Sequence, residues 1–151
     1  MLIDAAFNPT TKRIIDAAVE VHRTIGPGLL ESTYLECLEF EFAERLLRFE
    51  RERVVPIVYK QKRLKKTYKL DLVIENLVVV EVKSVAALLP VHEAQVITYL
   101  KLTGYPAGLL INFNVPKLMQ GVKRLVHPDE LRKHRAQGRE RIDPRSPRSP
   151  V

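Results

Sequence analysis

Four consecutive aliphatic residues, Leu77-Val78-Val79-Val80, run directly into the alternation Glu81-Val82-Lys83. A strand with one wet face alternates apolar and polar side chains, whereas an unbroken β-branched run suits a strand covered on both faces. This segment therefore predicts a central strand in a sheet with helices on either side. A chain of 151 residues suits one domain and needs no disulfide or metal staple to bury a core. The single cysteine, Cys37, excludes an internal disulfide and an all-cysteine cluster within one chain. The longest apolar stretch, Val85 to Val91, is too short to span a membrane. Asp4 and Asn8 do not suit a signal peptide, which opens on a basic head. These features predict a soluble, cytoplasmic protein with no membrane partner.

Around that strand the periodicities give an order of elements. A first helix is predicted to start after Thr10 or Thr11, with Ile14, Ile15, Ala18, Val21 and Ile25 on one face. Gly26-Pro27-Gly28 ends it. A second helix is expected from about Leu30 to Leu47, through Leu35, Leu38, Phe42 and Leu46. Val54 to Tyr59 reads as a strand, with Pro56 marking an edge or a bulge. Lys60 to Lys69 holds six basic residues and no acid, which suggests a solvated turn. Tyr68–Ile74 and Leu77–Ser84 read as strands joined tightly at Glu75-Asn76. A third helix from Pro90 to Thr103, ended by Gly104, precedes strands at Gly108–Phe113 and Val122–Val126. The fold class is α/β or α+β, with a mixed central sheet flanked by helices.

The net charge is +7, but it is unevenly spread. Arg132 to Val151 has seven basic residues against Glu140 and Asp143, a balance of +5 that leaves +2 for residues 1–131. The predicted organisation is one domain over 1–131 and a basic, unstructured tail over 132–151, repeating Arg-Ser-Pro at its end. Basic balance thus supports a polyanionic partner only weakly for the folded part.

Two polar interruptions stand out on the apolar strands: Asp71, and Glu81 with Lys83. Ionised groups on buried strands cost several kcal/mol unless paired or metal-bound. Glu81 and Lys83 share a strand face, and the tight connection brings Asp71 level with them. Two carboxylates and an amine can hold a hard divalent cation, Mg²⁺ or Mn²⁺, beside a water. A plain cross-strand ion pair of Asp71 with Lys83 is the alternative. Sharing one face requires an offset of one residue. In a strict two-residue loop Asp71 would pair with Val80, and Glu81 and Lys83 would face away. A three-residue loop or a bulge near Asp71 is therefore predicted.

Asp71, nine residues, then Glu81-Val82-Lys83 resembles the D-x(n)-E-x-K signature of the PD-(D/E)XK nuclease superfamily. The order α-β-β-β-α-β from Leu30 to Phe113 resembles its restriction-endonuclease-like core. Gly28-Leu29-Leu30-Glu31-Ser32-Thr33-Tyr34 looks like the motif that names the GxxExxY family. Tyr68-Lys69-Leu70-Asp71, His92-Glu93-Ala94-Gln95 and Leu109-Leu110-Ile111-Asn112-Phe113 are similar to that family too. The resemblance covers about residues 10–126, and it departs from the signature where Leu70 replaces the leading proline. It implies a Mg²⁺ or Mn²⁺ ion held by Asp71, Glu81 and the Val82 carbonyl, with Lys83 placing the attacking water. It also implies a nucleic-acid substrate, DNA or RNA. Glu31 is then a candidate for reaching the metal directly or through water, though an acid in a first helical turn is also favoured by the helix dipole. Gln95 matches the superfamily's helix glutamine. His92, Gln95 and Tyr99 form a polar stripe on the third helix, and His92 also suits a helix cap. Tyr34 could bond a phosphate or cover the core. The candidate set is thus Asp71, Glu81, Lys83, Glu31 and Gln95 for catalysis, with Tyr34, Tyr99 and His92 for substrate. The alternative is an inactive nucleic-acid-binding or protein-interaction module on the same scaffold. Oligomeric state, a dimer included, is open.

Overall fold

A computed structural model describes residues 6–140. Helices α1 (Asn8–Ile25) and α2 (Glu31–Glu44) precede strands β1 (Phe49–Tyr59), β2 (Lys62–Ile74) and β3 (Val78–Lys83). Helix α3 (Pro90–Thr103), strands β4 (Ala107–Asn112) and β5 (Val122–Val126), and helix α4 (Pro128–Glu140) follow. The five strands lie side by side in chain order. Only β3 and β4 are parallel; the other neighbours are antiparallel. The sheet is mixed and β3 is its centre, buried from Val78 to Val82. One core cluster joins α1 and α2 to Leu72, Ile74, Val78, Val80, Leu109 and Ile111. A second joins α3 to Val55, Leu70, Val73 and Val79 on the opposite face. Among the described residues no helix is long and apolar enough to cross a membrane.

Helix α3 keeps its predicted bounds. Gly104, at φ 83°, ends it in the left-handed conformation. It approaches the sheet closely: a Cβ on Gly108 would meet Val96 Cγ1 at 2.8 Å.

Other elements differ from expectation. Helix α1 starts at Asn8, before the threonines. Pro9 occupies its first turn, and the Thr11 hydroxyl donates back to the Phe7 carbonyl instead of capping. Lys60 to Lys69 is not a turn. Only Lys60 and Gln61, both at positive φ, make the turn, and the rest is strand β2 paired to β1. Pro56 lies on an edge strand beside a register shift, as its missing donor favours. The unstructured tail expected from Arg132 is corrected as far as Glu140, because α4 runs through it. Pro128 and the pairs Arg132–Asp129 (2.9 Å) and Lys133–Glu130 (3.3 Å) explain the helix. Residues 141–151 of that tail lie outside the described residues.

Candidate active site

The link between β2 and β3 decides what shares a face. Ile74 pairs with Val78, Val73 with Val79 and Leu72 with Val80. Three residues therefore intervene, and the Leu77 N–H closes the turn on the Ile74 carbonyl at 3.0 Å. Glu75 and Asn76 take left-handed backbone angles, which cost a non-glycine residue of the order of 1 kcal/mol. The Glu75 carboxylate is held by the Arg48 N–H at 2.8 Å and its guanidinium at 3.0 Å. The Tyr105 hydroxyl donates to Asn76 Oδ1 at 3.2 Å. These contacts fix the extra residue, and the predicted offset is present.

Backbone pairing of β2 with β3 stops at Leu72–Val80, and side chains take over. The Asp71 N–H donates to Glu81 Oε1 at 3.1 Å, and the Val82 N–H donates to Asp71 Oδ2 at 2.9 Å. Leu70 and Val73 face α3 while Leu72 and Ile74 face α1 and α2. Strict alternation therefore breaks at Asp71, where the strand is reoriented.

Both carboxyls are held above their ordinary range. Burial raises Asp71 most, against the Val82 N–H, contact with Glu81 and the Lys83 charge, which lower it; the Glu31 charge adds to the rise. Glu81, 6% exposed, is pushed up to about 8 by burial and then by the Asp71 charge. Burial is the first cause of both rises, and a like charge adds to each, Asp71 on Glu81 and Glu31 on Asp71. The donor set is two carboxylates on strands, hard oxygens that fit a Mg²⁺- or Mn²⁺-like cation, whose charge would offset the repulsion. Among the described residues no third His, Cys, Asp or Glu joins them in one cluster.

The remaining candidates fall into three places. Lys83, Gln95, Tyr99 and His92 line one cleft of about 680 Å³ between α3 and the β1–β2 hairpin. Tyr99 is buried at its wall and is raised by burial and then by the Glu81 charge. His92 Nδ1 accepts the Leu89 N–H at 2.9 Å, so the ring caps α3 at the cleft's edge. Glu31 is exposed in the first turn of α2, beside Ser84, whose hydroxyl donates to the Leu29 carbonyl at 2.6 Å. It acts on Asp71 through its charge and stands outside the carboxylate pair. Tyr34 is corrected from substrate to scaffold. It is fully buried and stacks on Phe113 at 4.3 Å. Its hydroxyl donates to the Gly26 carbonyl (2.7 Å) and accepts the Leu29 N–H (3.2 Å).

Sequence reasoning missed Tyr68 and Ile57, which form the hairpin wall of the cleft. It also missed the positional role of Asn112, buried and bonded to both the N–H and carbonyl of Val85. A lone buried amide at the end of an apolar strand was the available signal for Asn112. Tyr68 stood only as the first residue of the Tyr68–Asp71 motif, and its place in the cleft was hidden because its neighbour Tyr99 (6.2 Å) comes from another element.

The sequence matches the PD-(D/E)XK nuclease superfamily over residues 8–125. The chain belongs to that superfamily. No curated protein matches it. Among solved structures, the crystal structure of SSO0001 aligns with a TM-score of 0.51 at 20% identity, covering 95% of this chain and 71% of that one. At that identity the likeness concerns the fold. This superfamily member carries its acidic pair where β2 and β3 part, with the amine two residues on.

Proposed function

We propose that the chain is a Mg²⁺- or Mn²⁺-dependent hydrolase of phosphodiester bonds in nucleic acid, of the GxxExxY group within the superfamily. The observation that carries this is the contact of Asp71 with Glu81 on the sheet face that also presents Lys83 to an open cleft. A buried carboxylate beside a half-buried one is unfavourable without a compensating cation. Asp71 and Glu81 would hold the metal, with the Val82 carbonyl beside them and Glu31 acting through water. When bound, such an ion polarises phosphate and lowers the pKa of its water. Lys83 would place water and stabilise charge on the phosphoryl oxygens. Gln95 and Tyr99, which line the same cleft, would orient the substrate, and the exposed edge of His92 borders it. In the GxxExxY motif, Tyr34 braces the loop while Glu31 remains outward. A nucleic-acid substrate agrees with the cytoplasmic setting expected from sequence.

The test combines calorimetry with Mg²⁺ and Mn²⁺ and cleavage of single- and double-stranded DNA and RNA. Asp71→Asn should abolish both metal binding and cleavage. Lys83→Ala should keep metal binding and lose turnover. A wild-type chain that binds neither ion and cuts no substrate overturns the proposal. One observation favours a second reading, an inactive module: the carboxylates already replace the strand ladder as a clamp. Under that reading Asp71→Asn destabilises the fold by several kcal/mol and nucleic-acid binding is indifferent to metal.

A further inference from the structure

We propose, resting on the nucleic-acid reading above, that the chain takes an unpaired strand. A base would stack on Tyr68 in the cleft between the hairpin and α3, while free cations of the hairpin follow the phosphates.

The hairpin's shape is the first support. β1 and β2 pair from Phe49–Ile74 to Tyr59–Lys62, yet β2 pairs with β3 only over Leu72–Ile74. The far part is therefore a two-stranded arm beyond the sheet. Its charge is the second. Lys60, Lys62, Arg63, Lys65, Lys66 and Lys69 are all exposed, and among the described residues none makes an ion pair. Cations at the arm's root are committed: Arg48 to Glu75, Arg51 to Glu39 and Arg53 to Glu50. The unpaired cations begin where the arm leaves the sheet, a distribution complementary to a polyanion.

The cleft is the third. Tyr68, 41% exposed, stands with Ile57 opposite Val91, Ala94 and Leu102, and Lys83 shares the same cleft. A slot of this kind, with an aromatic ring among apolar walls, matches the face of a base. Bases in a duplex keep their faces stacked on one another and unavailable. Lys66 Nζ lies 5.9 Å from the Tyr68 ring centroid. A base stacking there takes the ring face and frees the ammonium for its phosphate. An acidic peptide would satisfy the cations but has no flat π-face for the ring.

Binding is measured by fluorescence anisotropy in EDTA, with labelled single-stranded and duplex oligonucleotides of mixed sequence. The single strand should bind more tightly. Tyr68→Ala should weaken it on the order of tenfold while leaving duplex affinity unchanged, and Tyr68→Phe should restore it. Lys65→Gln should lower the salt dependence of single-strand binding by about 0.7 in the log–log slope. Tyr68 is exposed, so its variants should melt like wild type, which circular dichroism checks. Equal affinity for duplex and single strand, or equal loss on both with Tyr68→Ala, overturns the inference. Cleavage in Mg²⁺ separates the two proposals. Tyr68-dependent single-strand binding without any cleavage retains this one and removes the hydrolase. Cleavage of duplex with no single-strand preference does the reverse.

Discussion

Replacing Glu81 by glutamine keeps the acceptor that the Asp71 N–H uses at 3.1 Å and removes the ability to ionise. The wild-type carboxyl titrates at about 8 in the folded chain against an ordinary 4.5. Between those values the native state holds more protons than the unfolded chain, so stability falls as pH rises. It is fully present below 4.5 and lost progressively up to about 8. At about 1.36 kcal/mol per pH unit, the interval corresponds to a loss on the order of 5 kcal/mol. That is a large part of the roughly 5–15 kcal/mol that holds a domain together. Glu81→Gln should have a nearly flat profile over this window, similar to wild type near pH 5 and several kcal/mol more stable near pH 8. The assay is urea unfolding followed by circular dichroism at pH 5, 6, 7 and 8 in EDTA, with the slopes compared to confirm that only the midpoint moves. Adding Mg²⁺ or Mn²⁺ should recover wild-type stability at pH 8 and leave the variant unmoved. Wild-type stability that is flat or rises with pH, or a variant weaker than wild type at pH 8, refutes the reasoning.

Tyr34→Phe removes the hydroxyl that braces Gly26 and Leu29; thermal or urea unfolding should show a loss of about 1–2 kcal/mol, with cleavage per folded molecule unchanged. Gly108→Ala drives a methyl into Val96 Cγ1 at 2.8 Å and should cost about 1–3 kcal/mol in a thermal melt by forcing α3 off the sheet. Asn112→Ala strips the acceptor from the Val85 N–H and leaves its carbonyl only the Asn114 amide at 3.3 Å; it should destabilise by about 1–3 kcal/mol and speed amide exchange in the segment after β3.

The meeting of Asp71 with Glu81 was legible because side chains alternate along a strand, so parity demanded one extra residue between Ile74 and Val78; the break in alternation beside Asp71 was not legible. The bounds of α3 were legible because Pro90 and Gly104 each admit few backbone states. The start of β1 was hidden: Glu50, Arg51, Glu52 and Arg53 look like a loop, but an edge strand can leave such charges in water. The outer part of β2 was hidden likewise, because its basic residues never need burial. Its turn at Lys60-Gln61 lacks the glycine or asparagine that signals a hairpin. α4 has polar residues on every side, and its sign lay in the spacing of Asp129 with Arg132. Glu31 was legible as an acid opening α2, but its exposure outside the carboxylate pair was not, because one sequence does not show which way the first turn of a helix faces.

The single parallel pairing, β3 with β4, sets an order for folding. β1, β2 and β3 are a meander closed by short turns, whereas β4 joins only after residues 84–106 have crossed over through α3. Closing the longer loop carries more entropy, so the meander should assemble first. Asp71 and Glu81 consequently meet while water still reaches them, and the loss of hydration falls late, when α3 settles on the sheet. Crowded charge added at that stage belongs to the unfolding barrier rather than the folding one. Raising the pH from 5 to 8 should therefore quicken escape from the native state far more than it slows arrival, giving a chevron whose unfolding arm alone climbs.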